Sequence, residues 1–282
     1  MILIKTVAAL TEYLSSKQIA GATVGFVPTM GALHAGHLSL VEHSIKNTNT
    51  TICSIFVNPT QFNDPADFTK YPVTLEKDLL LLEQAGCNVV FLPSVNEIYP
   101  EGTVIKKQFD LGFLETILEG KFRPGHFQGV CQVVHRLLEI VQPTTLFLGR
   151  KDYQQCMVIR RLITLANWDI QVTLIPTLRE ASGLALSSRN IRLPEIDRQS
   201  ASVIYQALLF IKENIKPGDP STLIATADTM ILQAGFQKID YVAIASADTL
   251  ENITEWNGKV KLVALVAAFI GGVRLIDNML LN

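Results

Sequence analysis

The clearest rhythm in the chain starts at residues 24–27, a short apolar run that gives way to a turn of small residues and then, over 38–45, to apolar positions at helical spacing. Together these predict a strand, a loop and a helix N-terminus. Similar signals return downstream: a β-rich run at 51–57 closed by Asn58-Pro59, a polar loop at 64–72, and helical spacing over 75–85. A short run at 88–92 ended by Pro93, an apolar helix over 130–141 and a strand ending at Gly149 complete the series. Strands alternating with helices through such connections predict an α/β domain with a doubly wound parallel sheet.

Beyond Asn190 the pattern changes. Two amphipathic helices, 195–214 and 221–234, flank Lys216-Pro217-Gly218-Asp219-Pro220, and strand-like runs follow at 239–245, 260–269 and 273–277. A smaller α+β domain of about a hundred residues is expected there. The expected division is 1–175 and 176–282, with 176–190 opening the second domain and facing the first, so that a ligand site would be built across the gap.

Composition narrows the function without naming it. The chain has 282 residues, 48% hydrophobic and 18% charged, and its 24 basic against 26 acidic residues give no general field for nucleic acid or a membrane surface. Any anionic ligand must be held by a local cluster. Cys53, Cys87, Cys131 and Cys156 lack paired spacing, which argues against a disulfide framework and a zinc ribbon and fits a reducing cytoplasm. The apolar start, 1–10, has no basic leader or cleavage site, and the longest apolar stretch, 262–270, is roughly half a bilayer span. No membrane segment is expected.

The turn Pro28-Thr29-Met30-Gly31-Ala32-Leu33-His34-Ala35-Gly36-His37 is where an anion would sit. Unpaired backbone N–H groups and the helix dipole favour a phosphate at a helix start, and glycines allow close approach. Gly31 and Gly36 have P-loop spacing, but His37-Leu38 replaces the required Lys-Ser/Thr, so a P-loop is rejected. His34 and His37 could each donate to a phosphoryl oxygen; a capped turn with surface histidines, or half a metal site, is the alternative.

Four further stretches carry candidate chemistry. Asn58-Pro59-Thr60-Gln61-Phe62 lies at a predicted strand end, where the amide of Gln61 could hold a hydroxyl and a carboxylate, or simply close a turn with Asn58. Glu119 to Val130, with Arg123 and several glycines, reads as a mobile loop able to fold over an anion, or as an ordinary solvated loop. Gly149-Arg150-Lys151-Asp152 offers a point charge for phosphates and an acceptor for a ribose hydroxyl, with a surface pair as the plain alternative. Ser187-Ser188-Arg189 could form a polydentate phosphate cradle, or Ser187 could cap a helix.

Taken in order, these stretches resemble one family. The turn ending in His34-Ala35-Gly36-His37 is similar to the nucleotide-binding turn of the HIGH-type nucleotidyltransferase superfamily, whose nucleotide domain is Rossmann-like. Phe56-Val57-Asn58-Pro59-Thr60-Gln61-Phe62, the Arg123-Pro124-Gly125-His126-Phe127 segment, Gly149 to Gln155, Pro176 to Asn190, and Arg274-Leu275-Ile276-Asp277-Asn278 resemble segments of the pantothenate synthetases (pantoate–β-alanine ligases) within it. In that family the Tyr71-Pro72 pair is followed by arginine, where Val73 stands here, and Leu178, Ser182 and Leu186 replace valine, aspartate and methionine.

The resemblance implies ATP-dependent joining of (R)-pantoate to β-alanine through a pantoyl adenylate, releasing AMP and diphosphate. It assigns ATP to Met30, Gly31, His34, Gly36, His37, Gly149, Lys151, Asp152, Leu178, Leu186, Ser187, Ser188 and Arg189, with His34, His37, Lys151 and Arg189 as the catalytic set. Gln61, Gln155, Asn58 and Arg123 would serve pantoate and β-alanine. Mg²⁺ would be held mainly through the phosphates, and a cytoplasmic homodimer is implied. A simple nucleotidyltransferase would not need the Gln61 and Gln155 segments, and a non-catalytic nucleotide-binding protein would not need His34, His37, Lys151 and Arg189 intact.

Overall fold

The computed structural model describes residues 1–19, 21–62, 68–104 and 107–282, with the backbone alone for 16–19, so that 64–67 of the polar loop expected at 64–72 lie outside the described residues. The chain forms two compact units, Met1–Arg150 with Gln154–Pro176, and Lys151–Tyr153 with Thr177–Asn282.

The first unit is built on six parallel strands: β1 (Ile2–Ile4), β2 (Val24–Thr29), β3 (Thr50–Ile55), β4 (Val89–Phe91), β5 (Thr145–Gly149) and β6 (Gln171–Ile175). Their order is β1-β4-β3-β2-β5-β6. The progression reverses at β2, which pairs with β3 on one side and β5 on the other, and ligands of open α/β sheets bind at the carboxyl ends beside such a reversal. The helices are α1 (Val7–Ile19), α2 (Ala35–Asn47), α3 (Leu75–Gln84), α4 (Val95–Ile98), α5 (Leu118–Phe122), α6 (His126–Val141) and α7 (Tyr153–Leu165).

The central strands are apolar on both faces because helices cover both; Phe26, Ile52, Val89, Leu146 and Phe147 are all at most 1% exposed. Helix α2 lies close on β2 because Gly25 has no side chain: a Cβ there would sit 2.1 Å from Ser44 Oγ. The buried Ser44 hydroxyl is matched by Thr51 Oγ1 at 2.7 Å. All four cysteines are buried thiols.

One expectation fails. The stretch from Glu119 to Val130 is not a loop: α5 ends at Phe122, α6 already begins at His126, and only a short turn separates them. Two of its glycines, Gly120 and Gly129, serve close packing, while Gly125 takes the left-handed turn before α6 (φ +78°). A Cβ at Gly120 would lie 2.3 Å from Glu115 O, and one at Gly129 would lie 2.2 Å from Thr60 O.

The second unit contains α8 (Glu195–Ser200), α9 (Val203–Asn214), α10 (Ser221–Gln233) and the antiparallel sheet β7 (Lys238–Ser246), β8 (Leu262–Ile270) and β9 (Val273–Leu280). The single helix expected at 195–214 is broken at Ala201-Ser202, where the Ser202 hydroxyl donates back to Gln199 O at 2.8 Å and competes with helix continuation. Ile204, Leu208 and Ile211 of α9 and Ala227 and Ile231 of α10 pack with Ala264 and Val266 of β8 into one core. The long apolar stretch is therefore the middle strand of a covered sheet. No helix of the described residues is long and apolar enough to cross a membrane.

Candidate active site

In the first unit the conspicuous turn joins β2 to α2. Gly31 (φ +79°) and Ala32 (φ +49°) both lie in the left-handed region, which costs the alanine free energy that surrounding contacts must offset. The contact that does so is Asp78, a carboxylate of α3 only 1% exposed. It accepts from Ala32 N at 2.9 Å, Leu33 N at 2.8 Å and Thr74 Oγ1 at 3.0 Å. The expectation that unpaired backbone N–H groups await a phosphate is thereby corrected: an internal anion already fills this nest of amides.

The helix start is also occupied. His34 is the N-cap of α2 and its Nδ1 accepts from Gly36 N at 3.1 Å, while His37 Nδ1 accepts from His34 N at 3.4 Å, a reciprocal capping box made of imidazoles. The two rings are 4.0 Å apart between centroids. A neutral ring whose Nδ1 accepts carries its proton on Nε2, and both histidines are half-buried.

At the end of β3, Asn58 is buried and its amide is fully used. Its Oδ1 accepts from Tyr99 Oη at 2.8 Å and from the Thr60 hydroxyl at 3.1 Å, while Nδ2 donates to Gly129 O and to Gln61 Oε1, both at 3.2 Å. Gln61 Nε2 reaches Met30 Sδ at 3.0 Å, which brings the second motif against the first turn. His126 Nδ1 lies 2.9 Å from Gln61 O and, since a carbonyl only accepts, donates to it. Burial pushes the Tyr99 hydroxyl up to about 12. His126 holds the Gln61 backbone directly, while Gly129 and Tyr99 hold Asn58, which in turn bonds the Gln61 amide.

Arg123, half-buried, closes α5 and pairs with Glu119 at 3.6 Å. Of the adjacent glutamines in α7, Gln154 is buried and bonds Glu119 N, Leu114 O and Ile117 O within 3.0 Å, tying α5 to α7. Gln155 is partly exposed and its amide has no partner among the described residues. A cavity of about 270 Å³ borders Met30, Gly31, Phe56, Val57 and Leu92, but neither histidine nor Gln61 lines it.

The second unit holds the other candidates. Residues 178–186 form a tight hairpin in which Leu186 N donates to Leu178 O at 3.0 Å, so the two apolar departures from the family pattern face one another across it. At its tip Ser182 Oγ accepts from Leu184 N at 3.4 Å, an acceptor's task that the family's aspartate could equally perform. Ser187 caps a following 3₁₀ turn through Arg189 N at 3.3 Å, and Asn190 Nδ2 donates to Ala185 O at 3.0 Å. Ser188 is buried and Arg189 half-buried. At the hairpin base Arg179 stacks 4.4 Å over Tyr205 and pairs with both oxygens of the buried Asp277, at 2.5 and 3.0 Å. Lys151 and Asp152 are partly exposed, and the Lys151 ammonium has no ion-pair partner among the described residues.

Comparison with known proteins identifies the family. The family model described as pantoate–β-alanine ligase matches residues 2–280. Pantothenate synthetase of Cytophaga hutchinsonii is 43% identical, covering 100% of this chain and 99% of its own, and that of Fervidobacterium nodosum is 44% identical with 100% of both covered. Among solved structures, pantothenate synthetase from Thermus thermophilus superposes with a TM-score of 0.91 at 40% identity, covering 99% of each chain. The pantoate–β-alanine ligase of Francisella tularensis, solved with β,γ-ATP and β-alanine, gives 0.81 at 37% identity over 99% and 97% of the two chains. Matched by the family model over residues 2–280 and by full-length relatives at 40% identity or more, this chain belongs to the pantoate–β-alanine ligase family.

Proposed function

We propose that this ligase activates pantoate as its adenylate using ATP, and that the residues singled out in the sequence divide between the two substrates of that step. The carrying observation is that the imidazole-capped turn, the Gln61 segment and Gly149 sit at the carboxyl ends of β2, β3 and β5, neighbouring strands at the reversal of the sheet. A carboxylate is a poor electrophile. Its oxygen therefore attacks the α-phosphorus and expels diphosphate; the β-alanine amine then attacks the acyl carbon of the mixed anhydride, and AMP leaves with the shared oxygen.

No side-chain nucleophile is required, so catalysis is positioning and charge stabilisation. The Nε2–H groups of His34 and His37 donate to phosphoryl oxygens, and Lys151, Ser187, Ser188 and Arg189 act on the triphosphate. Met30, Gly31, Gly36 and Gly149 border the nucleotide through their backbone, Asp152 accepts from the ribose, and Leu178 and Leu186 flank the base. Gln61 and Gln155 hold pantoate; Asn58 acts through Gln61, and Arg123 attracts the acid substrates. Mg²⁺ would be held mainly through the triphosphate, whose hard oxygens it prefers. Its contribution is neutralisation of phosphate charge.

The four buried thiols support a reducing cytoplasm, and the family resemblance supports a homodimer. Incubation with ATP, Mg²⁺, pantoate and β-alanine should yield AMP and an amide product by mass spectrometry. ADP, or no amide, would refute the assignment.

A further inference from the structure

The segment Arg274 to Asn278 matches the family, yet none of the substrate assignments uses it. Its position explains it. Although Lys151 follows β5 by two residues, Lys151–Tyr153 belongs by compactness to the second unit. Two long-range hydrogen bonds hold it there: Asn278 Nδ2 donates to Lys151 O at 2.7 Å, and Tyr153 Oη donates to Ala247 O at 2.7 Å. Both Asn278 and Tyr153 are buried, so these bonds are shielded from competing water.

Asn278 is itself held. Its N–H donates to Asp277 Oδ1 at 2.8 Å, and Asp277 is clamped by the Arg179 fork, whose Nη2 also reaches Asn278 O at 3.4 Å. Arg179 in turn belongs to the hairpin that leads into Ser187, Ser188 and Arg189. One strand end, Asp277-Asn278, thus grips both the segment carrying Lys151 and the base of the hairpin before the Ser-Ser-Arg turn.

We infer that Asn278, backed by the Asp277–Arg179 pair, is a positioning residue that fixes the Lys151 backbone and through it the ammonium placed on the triphosphate. This rests on the assignment of Lys151 to ATP. Free side-chain torsions do not place a point charge; a fixed Cα does, and errors of about 1 Å in such placement cost on the order of 10²-fold in rate.

A double-mutant cycle decides the matter. Single-turnover adenylate formation is measured in wild type, Asn278→Ala, Lys151→Ala and the double variant, with ATP and pantoate titrated separately. Asn278→Ala should slow the step by roughly 10-fold or more and raise the ATP requirement while sparing pantoate. In the Lys151→Ala background it should change the rate by less than about 2-fold, since a residue acting through Lys151 has nothing left to act on. Equal slowing in both backgrounds, or a wild-type rate in Asn278→Ala, would overturn the inference, whereas a wild-type rate in Lys151→Ala would overturn the assignment beneath it. Should Asn278→Ala fail to fold, Tyr153→Phe removes the second tether at little structural cost. The same cycle with it must show the same dependence on Lys151, and additivity would be equally fatal.

Discussion

Two buried carboxylates, Asp78 and Asp277, do opposite jobs in the two units. Asp78 accepts from the Ala32 and Leu33 N–H groups and so holds the β2–α2 turn through its backbone. Asp277 instead accepts from both arms of the Arg179 guanidinium at the base of the 178–186 hairpin. The lesson is that a loop next to a helix start need not bind phosphate with its backbone. Here two amides of the turn are held by an internal carboxylate, and on the proposed assignment recognition passes to side chains, which trades generic anion affinity for preorganised donors.

Breaking each anchor should expose the difference. Asp277→Ala leaves the half-buried Arg179 without its carboxylate, and loss of one member of such a pair costs up to about 3–5 kcal/mol, visible as an earlier denaturation midpoint. Asp78→Ala strands two amide N–H groups at roughly 1–3 kcal/mol each, and Asp78→Asn, which keeps one acceptor, should lose less. If Asp78→Ala were stable and bound ATP more tightly, the turn would be a phosphate nest after all.

Lys151→Ala removes a cation from developing charge and should slow adenylate formation by ~10²-fold or more, read in single turnover. Gln61→Ala should instead weaken pantoate by about 10-fold and leave ATP binding nearly unchanged, which separates the two ligand roles. Gly129→Ala forces a Cβ against Thr60 O and should reproduce part of the Gln61→Ala effect while costing about 1–3 kcal/mol of stability. An ATP defect with intact pantoate binding in Gln61→Ala would reassign the second strand end.

The smallest effect is alkaline. Burial pushes Cys87 up to about 11 and Cys131 up to about 12, against about 8.5 for a free thiol. The folded state keeps these protons longer, so their stabilisation is complete below about pH 8.5 and is lost as pH rises toward the folded values. Thermal scans from pH 8 to 11 should show a falling midpoint that flattens in Cys131→Ala.

Much of the first site was legible in the sequence because its signals are contiguous: apolar run, glycine turn and helical period follow one another within some twenty residues. What anchors it was not. Asp78 lies 46 positions from Ala32 and looks like a surface acid on an amphipathic helix. Gln154 and Gln155 are chemically identical, and only the phase at which α7 packs decides that the first is structural. The glycines near Arg123 signalled flexibility because a sequence does not distinguish a glycine needed for motion from one needed for close contact. Strands β1 and β6 sit at the sheet edges, with residues left partly open to water, and so lack the continuous apolar run that marked β2 and β3.

The first chemical step carries the most direct test. In the presence of ATP and Mg²⁺ but no β-alanine, pantoate alone should support exchange of labelled diphosphate into ATP, because the adenylate forms first and reversibly on a site that supplies only position and charge. Exchange that strictly required β-alanine would contradict this mechanism.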